Sequence, residues 1–157
     1  MTPIEELLPQ GAPMVLLSGY EPPADDAAVE AFVDVTPRSP FFEAPLDGVP
    51  SCVALEYMAQ TMALCVGLLR QKKGLSPRIG FVLGSRRLEL RQPRFAAGVR
   101  YRIRAVCAFQ DEEFGSFDCE IRDATGAVVA TGTLTAFQPG ETLRISRVNC
   151  KSGGSIF

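Results

Sequence analysis

Glu56, Gln60, Ala63 and Gly67 fall on one narrow stripe of a helix at about 100° per residue, in a segment with few other polar side chains. A carboxylate on so apolar a helix is costly unless it is paired or put to work. Two readings stand side by side: Glu56 as an acid of a reaction site, or as a structural carboxylate bonded to Gln60 or to backbone of the 42–49 loop. Cys52 sits in the first turn of the same segment, where thiolates are favoured. No base accompanies it, so it reads as inert. Tyr57 and Met58 read as packing. Arg86 and Arg87 follow Gly84-Ser85 near a strand end, placed to meet a phosphate or carboxylate or simply to solvate the strand.

What is missing narrows the chemistry. The 157 residues contain no histidine. That excludes Ser–His–Asp and Cys–His nucleophile units, imidazole acid–base catalysis and His-ligated metals within this polypeptide. Cysteines at 52, 65, 107, 119 and 150 form no C-x-x-C pair, so no metal site is expected. An odd number, four of them in apolar runs, suggests free buried thiols in a reducing compartment. The opening MTPIEELLPQ has neither a basic start nor an apolar core, and a cytoplasmic protein is expected. A net charge of −2 predicts no nucleic-acid or membrane-surface role. Charge nonetheless changes sign along the chain: residues 1–56 carry one base, Arg38, and residues 57–110 carry one acid, Glu89.

The elements that must position these residues can be read from periodicity. Pro3 to Gly11 suggests a short helical turn, and MVLLSGY (14–20) a short strand. Residues 27–35 alternate, with Val29, Ala31, Val33 and Val35 on one face. Residues 36–50 hold four prolines and the Phe41–Phe42 pair, so they form a loop of a kind that often carries function. Ser51 after Pro50 opens the longest helical segment. A membrane span is rejected for residues 52–69, because Glu56 and Gln60 interrupt it and the rest of the chain is strand-like. A helix apolar on nearly every side is instead buried in a core. Strands follow at 78–90, 99–109, 114–123 and 127–137, with a hairpin turn at Asp123–Gly126. One helix cannot cover six strands as an outer layer, but a curled sheet can wrap it. The expected fold is therefore α+β of the hot-dog type: one long central helix wrapped by about six antiparallel strands, in a single domain over 1–140 with a loose tail over 141–157.

Sequence motifs then resemble a family. LPQGAPMVLL (8–17) resembles the L-P-H-x-x-P-[FM]-L-L opening of 3-hydroxyacyl-ACP dehydratases, and PSCVALEYMAQ (50–60) their P-G-V-L-x-x-E-A-M-A-Q. RQPRFAAGVRYRI (91–103) is similar to the block that follows. EYMAQ with RIGFVLGSRR (78–87) is nearer still to dehydratase-like proteins of aryl-polyene synthesis. The departures are polar: the family's catalytic His falls on Phe42, another His on Gln10, an Asp on Ser18 and the Gly of the helix start on Ser51.

The resemblance implies dehydration of an acyl thioester, which needs a base at the α carbon, an acid at the hydroxyl and donors at the thioester oxygen. It assigns the acid to Glu56 and the donors to backbone amides at Ser51 and Cys52, where the unpaired first amides of a helix suit an oxyanion. It makes Phe41, Phe42 and Gln60 expected tunnel residues, and implies at least a dimer, since the family builds its sites across subunits. A His-bearing hot-dog paralogue would then complete the site. The implied substrate is carried on an acyl carrier protein, an acidic partner that Arg86, Arg87, Arg100, Arg102 and Arg104 would meet; no cofactor is implied. A carboxylate-dependent thioesterase and a non-catalytic acyl- or carrier-binding subunit are the alternatives.

Overall fold

The computed structural model describes residues 2–111 and 113–139, so the expected tail lies outside the described residues. In chain order the elements are α1 (Ile4–Leu7), β1 (Gly19–Tyr20), β2 (Ala28–Asp34), a 3-10 turn (Ala44–Leu46), β3 (Gly48–Pro50), and a second 3-10 turn (Ser51–Val53) that leads into α2 (Ala54–Lys72). Then come β4 (Phe81–Leu90), β5 (Arg94–Ala96), β6 (Arg100–Gln110), β7 (Phe114–Arg122) and β8 (Val128–Phe137). Six strands form one antiparallel sheet in the order β1-β2-β6-β7-β8-β4, and β3 pairs with β5 in a second, two-stranded one. The sheet curls around α2, as the helix's apolar circumference requires.

Alternation along the strands separates core from solvent. In β6, Tyr101, Ile103 and Ala105 are buried while Arg100, Arg102 and Arg104 point outward. The inward residues of β2, β7 and β8 close on Met58, Thr61, Leu64 and Cys65 of α2. By length and composition Ser51–Lys72 would also pass for a membrane span, yet half of that window is buried inside this fold. Tyr57, Phe95 and Tyr101 stack edge to face and tie β5 to the helix start. The hairpin between β7 and β8 turns at Gly126 (φ +86), with Asp123 Oδ1 accepting from the Thr125 and Ala127 amides.

Two expectations are corrected. Residues 14–17 are not strand, because a side chain has replaced the ladder: Gln60 Oε1 accepts the Leu16 N–H and Gln60 Nε2 donates to the Met14 carbonyl. Pairing with β2 begins only at Ser18, whose N–H donates to the Phe32 carbonyl. Nor are the cysteines uniformly buried: Cys65 and Cys119 are, Cys107 is half-buried and Cys52 is exposed.

Gly67, mid-helix, marks a close crossing. A Cβ there would lie 2.2 Å from the Leu7 carbonyl oxygen, so the glycine lets the end of α1 lie directly on α2. With Leu7 at Gly67 and Met14 at Gln60, residues 7–14 run back along the helix toward its N-terminus.

Candidate active site

Glu56 lies in the first turn of α2, just after the 3-10 turn hands over to the α-helix. Gln60, four residues on and fully buried, holds it: Nε2 donates to Glu56 Oε1 at 2.8 Å and to the Met14 carbonyl at 2.7 Å, while Oε1 accepts from the Leu16 N–H at 2.8 Å. All three bonds fix the amide's orientation, since a flip would set its NH₂ against a backbone N–H. The structural partner foreseen for Glu56 is thus present, and it leaves the second carboxylate oxygen out of that network.

Glu56 also lines a cavity of about 370 Å³. One wall is α2 along Glu56, Ala59, Ala63, Gly67 and Arg70, a run of about 21 Å at the helical rise. The small side chains on this stripe leave the space open. Opposite stand Phe81 and Val82 of β4, Phe114 and Phe117 of β7, and Ala136 of β8. Gln10 Oε1 and Arg78 Nη2, on two residues of the lining, are buried with no partner among the described residues, a spare acceptor and a spare donor. Arg70 and Arg78 were not foreseen as lining residues. The stripe itself carried the signal for Arg70, which falls within about 40° of Glu56 around the helix.

Other expected site residues fall elsewhere. Phe41 stands in solvent at φ +63, and Phe42 packs against the core from the loop; neither lines the cavity. The pairing of β3 with β5 and the Arg94 contact to the Leu46 carbonyl anchor that loop at the helix start instead. Gln60 sits behind Glu56 rather than in the cavity wall. Of the two oxyanion amides, Ser51 N–H is already spent on the Pro93 carbonyl (3.1 Å), which extends the β3–β5 ladder by one step. Cys52 N–H has no backbone acceptor among the described residues.

The arginine stripe of β6 faces out, as its period of two requires, but most of it is neutralised. Arg100 grips Asp34 through Nε and Nη2 at 2.6 and 2.7 Å and lies 4.0 Å over the Phe32 ring. This bond holds the Asp34 carboxyl below its ordinary range. Arg102 donates to Glu30 at 2.9 Å and Glu21 at 3.4 Å. Arg86, Arg87 and Arg104 make no ion pair among the described residues. Burial pushes the Cys65 and Cys119 thiols and the Tyr57 phenol up to about 12, which removes them from acid–base work near neutral pH.

A single long helix cradled by a six-stranded antiparallel sheet, with a carboxylate at the helix start lining a long cavity of mixed polarity, defines a hot-dog protein. The chain belongs to the ApeP-like family, whose model, described as ApeP dehydratase, matches residues 2–147. Among solved structures it is similar to a chain of the dehydratase heterocomplex ApeI:P from Xenorhabdus doucetiae, at 33% identity and a TM-score of 0.83, covering 90% of this chain and 93% of that one. The fold recurs in a hypothetical thioesterase with coenzyme A from Streptococcus pneumoniae TIGR4 (19% identity, TM-score 0.60, 80% and 89% covered). It recurs again in the PaaI protein of the E. coli phenylacetic acid degradation operon (15%, 0.58, 76% and 81%). No curated protein sequence gives a significant match.

Proposed function

We propose that this chain supplies half of a composite site for dehydrating a 3-hydroxyacyl thioester, and that the other half comes from a His-bearing hot-dog partner. The observation that carries the reading is a mismatch: a held carboxylate faces an acyl-sized cavity in a chain with no histidine at all. Loss of water from the substrate moves one proton off the α carbon and another onto the departing hydroxyl. Glu56 donates to the hydroxyl and Gln60 aims it. The Cys52 N–H, at the positive end of α2, meets the thioester oxygen as charge develops there. The partner's imidazole takes the α proton. The cavity along α2 holds the acyl chain, and Gln10 and Arg78 offer it a buried acceptor and donor.

Strand β4 supports the arrangement. Among the described residues it ends the sheet with one side unpaired, and its residues Phe81 and Val82 form part of the wall of the cavity that Glu56 also lines. A partner strand added there would bring its own residues to the same cavity. The similar structure from Xenorhabdus is itself a dehydratase heterocomplex, which supports a two-chain site. The substrate reaches the site on an acidic acyl carrier protein in the cytoplasm. With Arg100 and Arg102 held by acids, Arg104 is the cation of the β6 stripe left to meet it.

The test is product identity. The chain alone and the chain mixed with a His-bearing hot-dog dehydratase are each given a 3-hydroxyacyl carrier protein and a saturated acyl-CoA. Enoyl product from the mixture, with little from the chain alone, is expected. Free acid released from acyl-CoA by the chain alone would replace this reading with a thioesterase, and no rate gain on mixing would leave a non-catalytic subunit.

A further inference from the structure

The edge that β4 leaves unpaired among the described residues is chemically uneven. Every residue from Phe81 to Leu90 is exposed except half-buried Leu88, and Phe81, Val82, Leu83 and Leu90 offer apolar surface to whatever adds to the edge. Midway along it stand Arg86 and Arg87. Arg86 pairs with Thr133, which faces outward and donates to Asp118. The register then shifts between Arg86 and Glu89, with Arg87 at φ +54. Through this bulge Arg87 also lines the shallow outer pocket, beside Arg104, Asp118 and Glu120, while Leu88 turns inward toward Gly132. The bulge therefore puts two consecutive guanidiniums on one face. Neither guanidinium forms an ion pair among the described residues: of the acids around them, Glu89 pairs with Arg91, Glu120 pairs with Arg122, and Asp118 accepts from the Thr133 hydroxyl.

Two copies of one chain that pair edge to edge do so about a two-fold axis, where whatever lies at mid-strand meets itself. The midpoint of β4 falls between Ser85 and Arg86. At a strand spacing of about 4.8 Å and a rise of about 3.4 Å, four guanidiniums would then crowd within roughly 10 Å of the axis. We propose that the Arg86–Arg87 bulge disfavours self-pairing and selects a different hot-dog chain, one presenting Asp or Glu on the outer face of its own edge strand. This rests on the composite-site reading and gives it a basis for choosing the partner. Four like-charge pairs at about 8 Å in water weaken self-association roughly thirtyfold at low salt, and only a few fold near 0.15 M.

The test needs only this chain. Wild type and the double variant Arg86→Glu/Arg87→Asp are labelled with different dyes, mixed, and followed by energy transfer and sedimentation at 20 and 300 mM salt. Mixed pairs at least tenfold tighter than either self-pair at 20 mM, with the preference shrinking at 300 mM, are expected. Equal affinities, or a preference indifferent to salt, would overturn the proposal. The neutral variant Arg86→Gln/Arg87→Asn, with circular dichroism confirming its fold, must self-associate more tightly than wild type at low salt; unchanged self-association would also overturn it. Because nothing here measures turnover, failure of this selection and failure of the composite site are told apart.

Discussion

Replacing Gln60 with leucine removes the device that joins Glu56 to the segment lying on α2. The side chain is fully buried and makes three hydrogen bonds, to the Leu16 N–H, the Met14 carbonyl and Glu56. Leucine keeps most of the volume and none of the bonds. The Leu16 N–H is orphaned in the interior at about 1–3 kcal/mol, and the two partly buried acceptors lose about 0.5–1.5 kcal/mol each. Added apolar burial returns about 1 kcal/mol. The net loss is about 1–5 kcal/mol, or a Tm lower by about 2–20 °C for a chain of this size. Urea unfolding at neutral pH measures the first figure, and amide hydrogen exchange at Leu16 locates it. A loss under about 0.5 kcal/mol, or an unchanged Leu16 protection factor, would refute the assignment of Gln60 as the clasp between residues 14–16 and the site.

Gly67→Ala should destabilise despite alanine's better helix propensity, by about 1–3 kcal/mol in urea unfolding, because the new methyl meets the Leu7 carbonyl at 2.2 Å. Alkylation at pH 8 should modify exposed Cys52 long before Cys65 and Cys119, whose thiols burial holds up at about 12; peptide mass mapping gives the order, and equal rates would mean the core opens freely. The Arg100 bond holds the Asp34 carboxyl below its usual 3.8, so its contribution to stability is present above that value and is lost as pH falls through the lower folded one. Arg100→Gln should therefore flatten the fall in urea midpoint between pH 5 and pH 3, and parallel curves for the two proteins would contradict the pairing.

Period-two alternation placed the long strands and the outward arginines, and the apolar circumference of residues 52–69 placed the wrapped helix. Both are local patterns with one dominant cause, burial. What periodicity missed depends on contacts distant in sequence. Residues 14–17 look like a strand until Gln60, 44 residues beyond Leu16, takes their backbone groups. Ser51 looks like a free helix-start amide until the Pro93 carbonyl arrives from the far side of β4. The β6 arginines look like a cationic stripe because their acids, Asp34, Glu30 and Glu21, come from β2 and the segment before it. Glu56 and the small-residue stripe were legible because helical spacing alone brings them together.

Glu56 is proposed to work in a site that this chain cannot complete. The decisive experiment is single-turnover dehydration of a 3-hydroxyacyl carrier protein by the mixed pair, with wild type or Glu56→Gln as this chain's half. One missing acid–base group costs ~10²–10⁴-fold in rate. A loss in that range is expected for Glu56→Gln, with association of the two chains unchanged. Full-rate turnover by the pair carrying Glu56→Gln would show that the proton comes from elsewhere.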